Sequence, residues 1–413
     1  MLKTDFIIIG GGIAGLAAAR TLQSAGQNFI ILEESPSLGG RLKSEKIDGF
    51  TLDVGFHCFF SAMPSTSEVI DTKALEMEFI DEGVLLLKAD GAKEEFSFNE
   101  VLDKSFFLSM FSDTKKEEQL LKKYLKDIQD LSLVDIFASR NDSTLNYLKQ
   151  LGFDEMIDEA FLPYLSCFFY QKNLSTSRRF FELMMKTILE GKIALPKNGI
   201  QSVASQLIAK LSANEISCNT KVKDITGLNV TTIDNNSYTA SKAIIIATEA
   251  TGISKEYRTF NNLQYSSLAT HYFVADNAPF TEKYFASVSD KNSKILSLFV
   301  PSNVNPSCAP EGKSLIAITT EGIVDAAEEL NYCNNLITEF SKWFDSAKDW
   351  KHLKSYQIFY AVPSMINVRG SIPSGATKIG DNLYVCGDHL LHGSIEGAMQ
   401  SGIQAAQEAM SQK

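Results

Sequence analysis

The chain has 413 residues, of which 44% are hydrophobic and 22% charged, and its formal net charge is −11 at pH 7. This length suffices for more than one domain, and the acidic balance argues against nucleic acid as a partner and against purely electrostatic docking to anionic lipid. The six cysteines form no C-x-x-C pair, which indicates reduced thiols and neither a disulfide framework nor a metal site. The first predicted strand begins by residue 5 and no apolar run could span a bilayer, so we expect a cytoplasmic protein, with peripheral contact to a membrane as the alternative.

The N-terminal stretch predicts a strand, a glycine-rich turn and a helix in close succession. A strand is predicted at 5–9, and its residues 6–9, FIII, form an apolar run of the kind that is buried on both faces of a parallel sheet. The next six residues, GGGIAG, satisfy G-x-G-x-x-G, and an Ala- and Leu-rich helix follows to about Ser24. A second apolar strand at 28–32 ends on Glu33. This order of strand, turn, helix, strand and acid is typical of a dinucleotide-binding unit.

Each part of this unit has a physical role. Gly10 permits the tight turn, Gly12 lets the backbone approach a pyrophosphate, and Gly15 lets the helix pack close to the strand. The helix N-terminus offers free N–H groups and a positive dipole end to the phosphates. Glu33 is placed to accept hydrogen bonds from an adenosine ribose. Three neighbours complete the predicted nucleotide-binding set here: Ile13, Ala14 and Glu34.

A second glycine turn follows at a short distance. Gly39 and Gly40 predict a backbone turn, and Arg41 would bring a guanidinium beside the pyrophosphate. A strand predicted at 50–53 then leads to Gly55, where the absence of a side chain would let backbone lie against a flat ring system.

The middle of the chain shows patterns of strands and helices but no motif that indicates catalysis or binding. Strands are predicted at 79–88 and 95–98, and helices at 115–131, 143–152, 155–170, 177–190 and 200–211. The apolar cluster at 103–111 favours core packing, with a membrane-contacting lip as the alternative. Strands at 221–225, 230–233 and 238–240 indicate a β-meander, and a buried strand at 243–247 leads to Thr248.

Residues 251–370 form a second insertion, with strands predicted at 269–275, 295–300 and 315–320 and an amphipathic helix at 325–344. A last strand ends on Gly387 and Asp388, and a helix follows from Ser394 to about Met410. We therefore expect an α/β fold. A Rossmann-like nucleotide-binding domain, with a parallel sheet plus a β-meander, would comprise 1–65, 192–250 and 371–413. A discontinuous α+β substrate-binding domain would comprise 66–191 and 251–370.

These motifs together resemble the flavin amine oxidase superfamily. The resemblance rests on GGGIAGL with Glu33, GGR at 39–41, DVG at 53–55, and YVCGD with GSIEGAMQSGIQAA near the C-terminus. Within that superfamily, GFHCFFSAMP at 55–64 and the stretch at 387–398 are most similar to plant-type phytoene and ζ-carotene desaturases and to squalene-pathway flavoproteins. The match covers roughly residues 1–65 and 379–413.

The resemblance implies that the nucleotide-binding domain holds FAD. It places Glu33 at the adenosine ribose, Arg41 near the pyrophosphate and the Val222 backbone at the adenine. It places Asp388 at ribityl or phosphate oxygens. Near the pyrimidine edge of the flavin it places Ile395, Gly397 and Ala398. The remaining implied cofactor contacts are Phe56, His57, Thr248, Gly387, Ser394 and Glu396.

One departure from the family bears on the reaction. Amine oxidases of this superfamily usually place a lysine opposite the flavin from a substrate-domain strand, whereas residues 267–275 offer Thr270 and His271 and no lysine. His57 and His271 are candidates for acid–base catalysis. Tyr360 is a candidate for an aromatic wall opposite the flavin, with a buried edge strand as the alternative.

The expected function is that of an FAD-dependent oxidoreductase. A hydride would leave a small apolar, isoprenoid-like or carotenoid-like substrate in a desaturase-type reaction. The first alternative is a flavin-dependent amine oxidase, and the second is a non-catalytic lipid-binding or escort protein of the same fold. One dinucleotide fingerprint and no C-x-x-x-x-C pair argue for oxygen or a quinone as the electron acceptor.

Overall fold

The computed structural model describes residues 2–55, 58–63, 66, 69–97, 115–249 and 264–411. Phe56, His57 and the apolar cluster at 103–111 lie outside these ranges. The described strands are β1 (Leu2–Ile9), β2 (Phe29–Leu32), β3 (Ser44–Ile47), β4 (Phe50–Asp53), β5 (Phe59–Phe60), β6 (Met77–Ile80), β7 (Gly83–Leu87), β8 (Lys93–Ser97), β9 (Ile193–Pro196), β10 (Ile216–Ser217), β11 (Val222–Thr226), β12 (Asn229–Thr232), β13 (Ser237–Ile246), β14 (Tyr265–Ala275), β15 (Phe285–Val288), β16 (Ile295–Phe299), β17 (Ser314–Glu321), β18 (Lys351–Pro363), β19 (Lys378–Gly380) and β20 (Leu383–Val385).

Helices alternate with these strands. The described α-helices are α1 (Ile13–Ser24), α2 (Lys115–Asp130), α3 (Leu133–Ala138), α4 (Thr144–Leu151), α5 (Leu162–Phe169), α6 (Arg178–Glu190), α7 (Gln201–Ile208), α8 (Pro301–Val304), α9 (Glu329–Phe340) and α10 (Ile395–Met410). In the part of the chain that the structure describes, no helix combines the length and the hydropathy needed to cross a membrane.

The larger sheet joins strands from distant parts of the sequence. β10, β2, β1 and β13 lie side by side and parallel, and β20 runs parallel to β13. β12 and β11 extend β13 as an antiparallel meander, and β19 pairs with β20. Residues 6–9 of β1 are at most 3% exposed, because helices cover one face and the meander side covers the other. The α/β fold with a parallel sheet and a meander is confirmed.

β13 differs from the sequence expectation of two strands at 238–240 and 243–247. It is a single strand whose first half pairs with β12 and whose second half pairs with β20. Ser241 and Lys242 lie between the two halves and are exposed. Two polar residues in a row interrupt the apolar pattern, so the sequence predicted two strands where the structure has one.

Helices α1 and α10 pack together on one face of this sheet, in a cluster dominated by alanine and other small residues. The close approach depends on Gly402, since a Cβ there would clash with the carbonyl oxygen of Ala14. This packing brings the N-termini of both helices toward the same edge of the sheet.

A second sheet of seven strands has the order β18-β14-β17-β16-β15-β7-β8. Its strands pair antiparallel, except for β15 with β7. One face packs on α9 and the following segment, through Phe340, Trp343 and Trp350. The other face packs on the helical layer that contains α2, α5 and α6. The predicted strand at 79–88 is two strands, because β6 belongs to a small sheet with β9 and β5 while β7 belongs to this one.

The predicted helix at 155–170 is interrupted. A π-helical turn at Ile157–Phe161 precedes α5, which has Pro163 in its first turn. Proline has no N–H to donate back into the preceding turn, which explains why the regular hydrogen-bond ladder restarts at this point. The division of the chain into two discontinuous domains stays a prediction.

Candidate functional site

A cavity of about 810 Å³ lies between the carboxyl edge of the larger sheet, the helical layer and strand β18. It is lined by residues from both ends of the chain and from its middle. Of the residues predicted from the sequence, those that line the cavity are Gly10, Gly12, Ile13, Ala14, Glu33, Glu34, Gly39, Gly40, Arg41, Val222, Thr248, Tyr360, Gly387, Asp388, Ser394, Ile395, Glu396 and Ala398.

Three predicted residues support the cavity from behind. A Cβ at Gly15 would clash with the Gly10 carbonyl, and one at Gly397 would clash with the His392 carbonyl. Gly55 makes room for the Ile358 side chain, and Ile358 itself lines the cavity. These glycines therefore permit close packing around the site.

Glu33 is held at the end of β2 by two backbone donors. Its Oε2 accepts a hydrogen bond from the Gly11 N–H at 2.7 Å, and its Oε1 accepts one from the Ser35 N–H at 2.9 Å. The residue is only 8% exposed. Its carboxylate is therefore held in a fixed orientation at the edge of the cavity.

The two glycine turns form a cradle beside Glu33. Gly12 and Gly39 form a backbone bridge, and a Cβ at Gly40 would lie 2.8 Å from the Gly12 Cα. Helix α1 starts directly from Gly12, with no side-chain cap and no acidic residue in its first turn. Its first N–H groups and the positive end of its dipole thus face the cavity unneutralised.

Arg41 connects the cradle to two other parts of the site. Its Nη2 lies 2.8 Å from Asp388 Oδ2, and its Nη1 donates to the Ala361 carbonyl at 2.6 Å. Burial alone would lower the pKa of Arg41, but the Asp388 carboxylate raises it overall. The guanidinium is therefore a permanent cation between the larger sheet and β18.

The N-terminus of α10 forms the opposite side of this part of the cavity. Ser394 caps the helix by accepting a hydrogen bond from the Gly397 N–H at 3.1 Å. Glu396, 3% exposed, accepts hydrogen bonds at 2.6 Å from the Thr66 N–H and hydroxyl, and at 2.7 Å from Gln400. Burial lowers the pKa of His392 to about 4, so that imidazole is neutral near pH 7.

The arrangement fits FAD on three observations. The glycine cradle and the uncapped helix N-terminus suit a pyrophosphate, and the fixed carboxylate of Glu33 suits a ribose. In addition, the buried Thr248 Oγ1 lines the cavity and has no hydrogen-bond partner among the described residues, so it offers a further polar contact to a bound nucleotide. The donor set therefore matches an adenine dinucleotide at the end of the cavity beside the larger sheet.

The other end of the cavity is apolar and aromatic. Phe60 and Phe168 pack edge to face at 5.9 Å, and the Phe180 ring lies 5.7 Å from the His392 ring. The side chains at this end are Cys58, Phe59, Phe60, Met63, Phe168, Tyr170, Phe180, Met184, Ile358, Phe359 and Tyr360. Phe180 and Met184 come from α6, whose remaining apolar residues pack in the core. The sequence cannot separate the two sets, because a helix face turned to a cavity has the same periodicity as one turned to a core.

His271 is not part of the cavity, and its expected catalytic position is not supported. It lies at 0% exposure on the face of β14 that packs on α9, where its Nδ1 is 2.8 Å from Ser355 Oγ and its ring is 5.3 Å from the Tyr332 ring. The next residue, Tyr272, points to the opposite face and donates to the Asp53 carbonyl at 2.7 Å. Burial, and secondarily His352, lowers the pKa of His271 to about 4. The other candidate histidine, His57, lies outside the described residues.

Comparison with known proteins identifies the family of the chain. The family model for flavin containing amine oxidoreductases matches residues 13–410. Putrescine oxidase of Kocuria rosea is 30% identical over 98 residues, which are 23% of this chain and 20% of that protein. The 15-cis-phytoene desaturase of Narcissus pseudonarcissus is 36% identical over 66 residues, or 16% of this chain and 12% of that protein.

The matched segments thus span a fifth or less of those two relatives. A solved structure of a putrescine oxidase variant with redesigned cofactor binding superposes with a TM-score of 0.72 at 15% identity, covering 100% of both chains. That similarity concerns the fold, and the family match extends over nearly the whole sequence. The chain therefore belongs to the flavin containing amine oxidoreductase family, and its cofactor is FAD.

Proposed function

We propose that this protein oxidises a small apolar, isoprenoid-like substrate in a reaction of the desaturase type, in which a hydride with its two electrons would pass to FAD and the neighbouring carbon would lose a proton to solvent, leaving a C=C double bond. The observation that carries the proposal is the chemistry of the substrate end of the cavity. The side chains of Phe59, Phe60, Phe168, Phe180 and Met184 all line it, and none of them carries a charge. Such a surface binds hydrocarbon by burial of apolar area and offers no counter-ion to a charged substrate.

The two ends of the cavity would have different roles, one binding the cofactor and the other binding the substrate. Bound FAD would supply the hydride acceptor at its flavin ring. Glu33 would hold the ribose, and the N-terminus of α1 would hold the phosphates. The N-terminus of α10, capped by Ser394, would stabilise the negative charge that develops on reduction, and the aromatic walls would exclude water.

Oxidation of an amine is the second candidate. It is favoured by the similarity to putrescine oxidase in sequence and in fold. Against it, a cationic substrate needs a carboxylate or a comparable counter-charge. Glu396 is the acid closest in sequence to the predicted flavin edge, and its carboxylate is already hydrogen-bonded to Thr66 and Gln400. We therefore rank the hydrocarbon substrate first.

Anaerobic titration of the FAD-loaded protein tests the proposal. A polyisoprenoid hydrocarbon in detergent micelles and a diamine are added separately, and the visible flavin absorbance is followed. Bleaching by the hydrocarbon and not by the amine is the expected result. Bleaching by the amine alone would establish the second candidate in its place. A protein that takes up no FAD would overturn both and favour a non-catalytic lipid-binding role.

The electron acceptor can be assigned in the same preparation. With a single nucleotide-binding fingerprint in the chain, we expect the reduced protein to be reoxidised by oxygen or by a quinone. Stopped-flow recovery of flavin absorbance after mixing with each acceptor distinguishes the two. Reoxidation by a nicotinamide nucleotide alone would contradict this part of the proposal.

A further inference from the structure

Strand β18 is the edge strand of the seven-stranded sheet and contains an irregularity next to the cavity. Its register with β14 pairs Ile358 with Leu268 and Val362 with Ser266. Four residue steps on β18 are thus matched by two steps on β14, so β18 bulges at residues 359–361. Bulges leave residues unpaired, bend the strand and re-aim side chains, and they are enriched next to active sites.

The bulge changes which side chains reach the cavity. Along a regular strand only alternate residues face one side, yet all five residues from 357 to 361 line the cavity. Phe359 and Tyr360 also remain 59% and 44% exposed to solvent. Two neighbouring aromatic side chains therefore lie at the boundary between the apolar end of the cavity and the surface.

Contacts from several elements hold this segment in place. Arg41 donates to the Ala361 carbonyl at 2.6 Å, and the Tyr265 ring packs edge to face on the Tyr360 ring at 5.9 Å. On the other side, Gln357 Oε1 accepts a hydrogen bond from the Val324 N–H at 3.0 Å. The bulge is therefore anchored both to the nucleotide-binding end and to its own sheet, and it differs in this respect from a free surface loop.

We propose that the bulge of β18 is the rim through which the substrate enters, and that Phe359 and Tyr360 determine which apolar substrates pass and bind. The substrate class in this statement rests on the proposed function, whereas the position of the rim rests on the geometry. Exposed aromatic side chains at the mouth of an apolar cavity can contact a hydrocarbon before it leaves its carrier. The Arg41 contact keeps the rim in register with the cofactor site.

Thiol labelling tests the position of the rim without any substrate. Cys58 lines the cavity and is half-buried, and burial followed by the nearby Cys167 raises the pKa of its thiol, so its alkylation is slow. Cys218 is also partly exposed, so it is replaced by Ser in every protein that is compared, the parent included. Labelling of Cys58 with N-ethylmaleimide is then followed by peptide mass spectrometry.

We expect Phe359→Ala and Tyr360→Ala to accelerate Cys58 labelling several-fold, and a bound apolar ligand to slow it. Ile233→Ala is the matched control, because Ile233 is equally an exposed apolar residue, 53% exposed, but follows β12 on the larger sheet. The control should leave the rate unchanged. Equal rates in the two rim variants and the parent would overturn the assignment of the rim.

A second measurement tests the specificity role in the FAD-loaded protein. Apolar substrates of increasing length are compared for kcat and KM in the parent, Tyr360→Ala and Tyr360→Phe. We expect Tyr360→Ala to change the ratio of kcat/KM between long and short substrates by about fivefold, and Tyr360→Phe to retain the parent ratio. Unchanged ratios would contradict the specificity role. If no apolar substrate is oxidised, the proposed function fails, while the labelling result still decides where the rim lies.

Discussion

At the scale of single residues, buried acids near the site find hydrogen-bond and charge partners from other parts of the chain. Asp53, at the end of β4, is 8% exposed and accepts hydrogen bonds from the Ser44 hydroxyl at 2.6 Å and the Ile200 N–H at 2.9 Å. Burial raises its pKa from 3.8 to about 6, and the two hydrogen bonds only partly oppose this shift. A carboxyl group of this kind makes the stability of the protein depend on pH.

The sign of that dependence follows from the raised pKa. The folded protein binds the Asp53 proton more tightly than the unfolded chain does, so Asp53 favours folding below pH 3.8 and this contribution is lost as pH rises through 6. Asp53→Asn retains an acceptor oxygen and cannot ionise. Between pH 4 and pH 7, we expect the free energy of unfolding of Asp53→Asn to rise relative to that of the parent by about 2 kcal/mol. Urea denaturation at a series of pH values measures this gain, and a gain in the opposite direction would contradict it.

Arg41 and Asp388 form an ion pair in which the carboxylate is buried and the guanidinium is about a third exposed. The Asp388 side chain is only 7% exposed, so removal of Arg41 would leave a carboxylate buried without its cation. We expect Arg41→Gln to lower the free energy of unfolding by about 3 kcal/mol. The double variant Arg41→Gln with Asp388→Asn should recover part of that loss. Denaturation of the four proteins in a double-mutant cycle measures the coupling, and strictly additive losses would show that the pair contributes nothing.

At the scale of elements, the contact between α1 and α10 decides how closely the two helix N-termini approach the cofactor. The helices meet through small residues, and a Cβ at Gly402 would clash with the Ala14 carbonyl. The alanines among these residues are good helix formers, so the sequence of α10 predicted a helix without showing which face touches α1. The close approach of α1 and α10 therefore depends on both helices together and cannot be predicted from either one alone.

Gly402→Ala tests that contact. Alanine favours an isolated helix over glycine, but here its methyl group must push α10 away from α1. We expect a net loss of about 2 kcal/mol in the free energy of unfolding and a weaker affinity for FAD. Gln407→Ala is the control, because Gln407 is exposed on the same helix and should tolerate the change. Thermal unfolding and FAD titration measure both effects, and a stabilised Gly402→Ala protein would disprove the close approach.

The element scale also explains why the side of β14 on which His271 lies could not be predicted from the sequence. The sequence correctly predicted a strand around it, and the family resemblance suggested a side chain facing the flavin. Both faces of β14 are buried, so the run of apolar and small residues has no polar alternation that would tell one face from the other. Only the packing of α9 against one face shows which side His271 takes.

At the scale of the whole molecule, cofactor binding and folding are coupled. A ligand that binds only the folded state stabilises it by about 2.7 kcal/mol when its concentration is a hundred times its Kd. The FAD site joins strands β1, β2, β13 and β20 with the N-termini of α1 and α10, so it collects segments from both ends of the chain. Bound FAD should therefore raise the unfolding temperature, and the segments that form the site should unfold together in one transition.

Two glutamates in different surroundings test this coupling. Glu33 is buried and held by Gly11 and Ser35, whereas Glu76 forms an exposed pair with Lys197, with side chains 60% and 41% exposed, and does not line the cavity. We expect Glu33→Gln to reduce the rise in unfolding temperature caused by FAD, and Glu76→Gln to leave it nearly unchanged. Differential scanning calorimetry with and without FAD measures both shifts. Equal shifts in the two variants would contradict the ribose role of Glu33.

The nucleotide-binding end could be predicted from the sequence alone, because its geometry is set by short-range order. A strand, a tight glycine turn and a helix within about 20 residues place the cradle, the helix dipole and the acid of Glu33 together. The family and the FAD cofactor that these motifs predicted were confirmed by the family match over residues 13–410. The apolar end depends on segments near 60, 170–184 and 357–361, which are far apart in sequence and carry no local signal beyond hydrophobicity. The face taken by His271 and the bulge of β18 were decided only by the tertiary structure, since each depends on what packs against a strand from outside it.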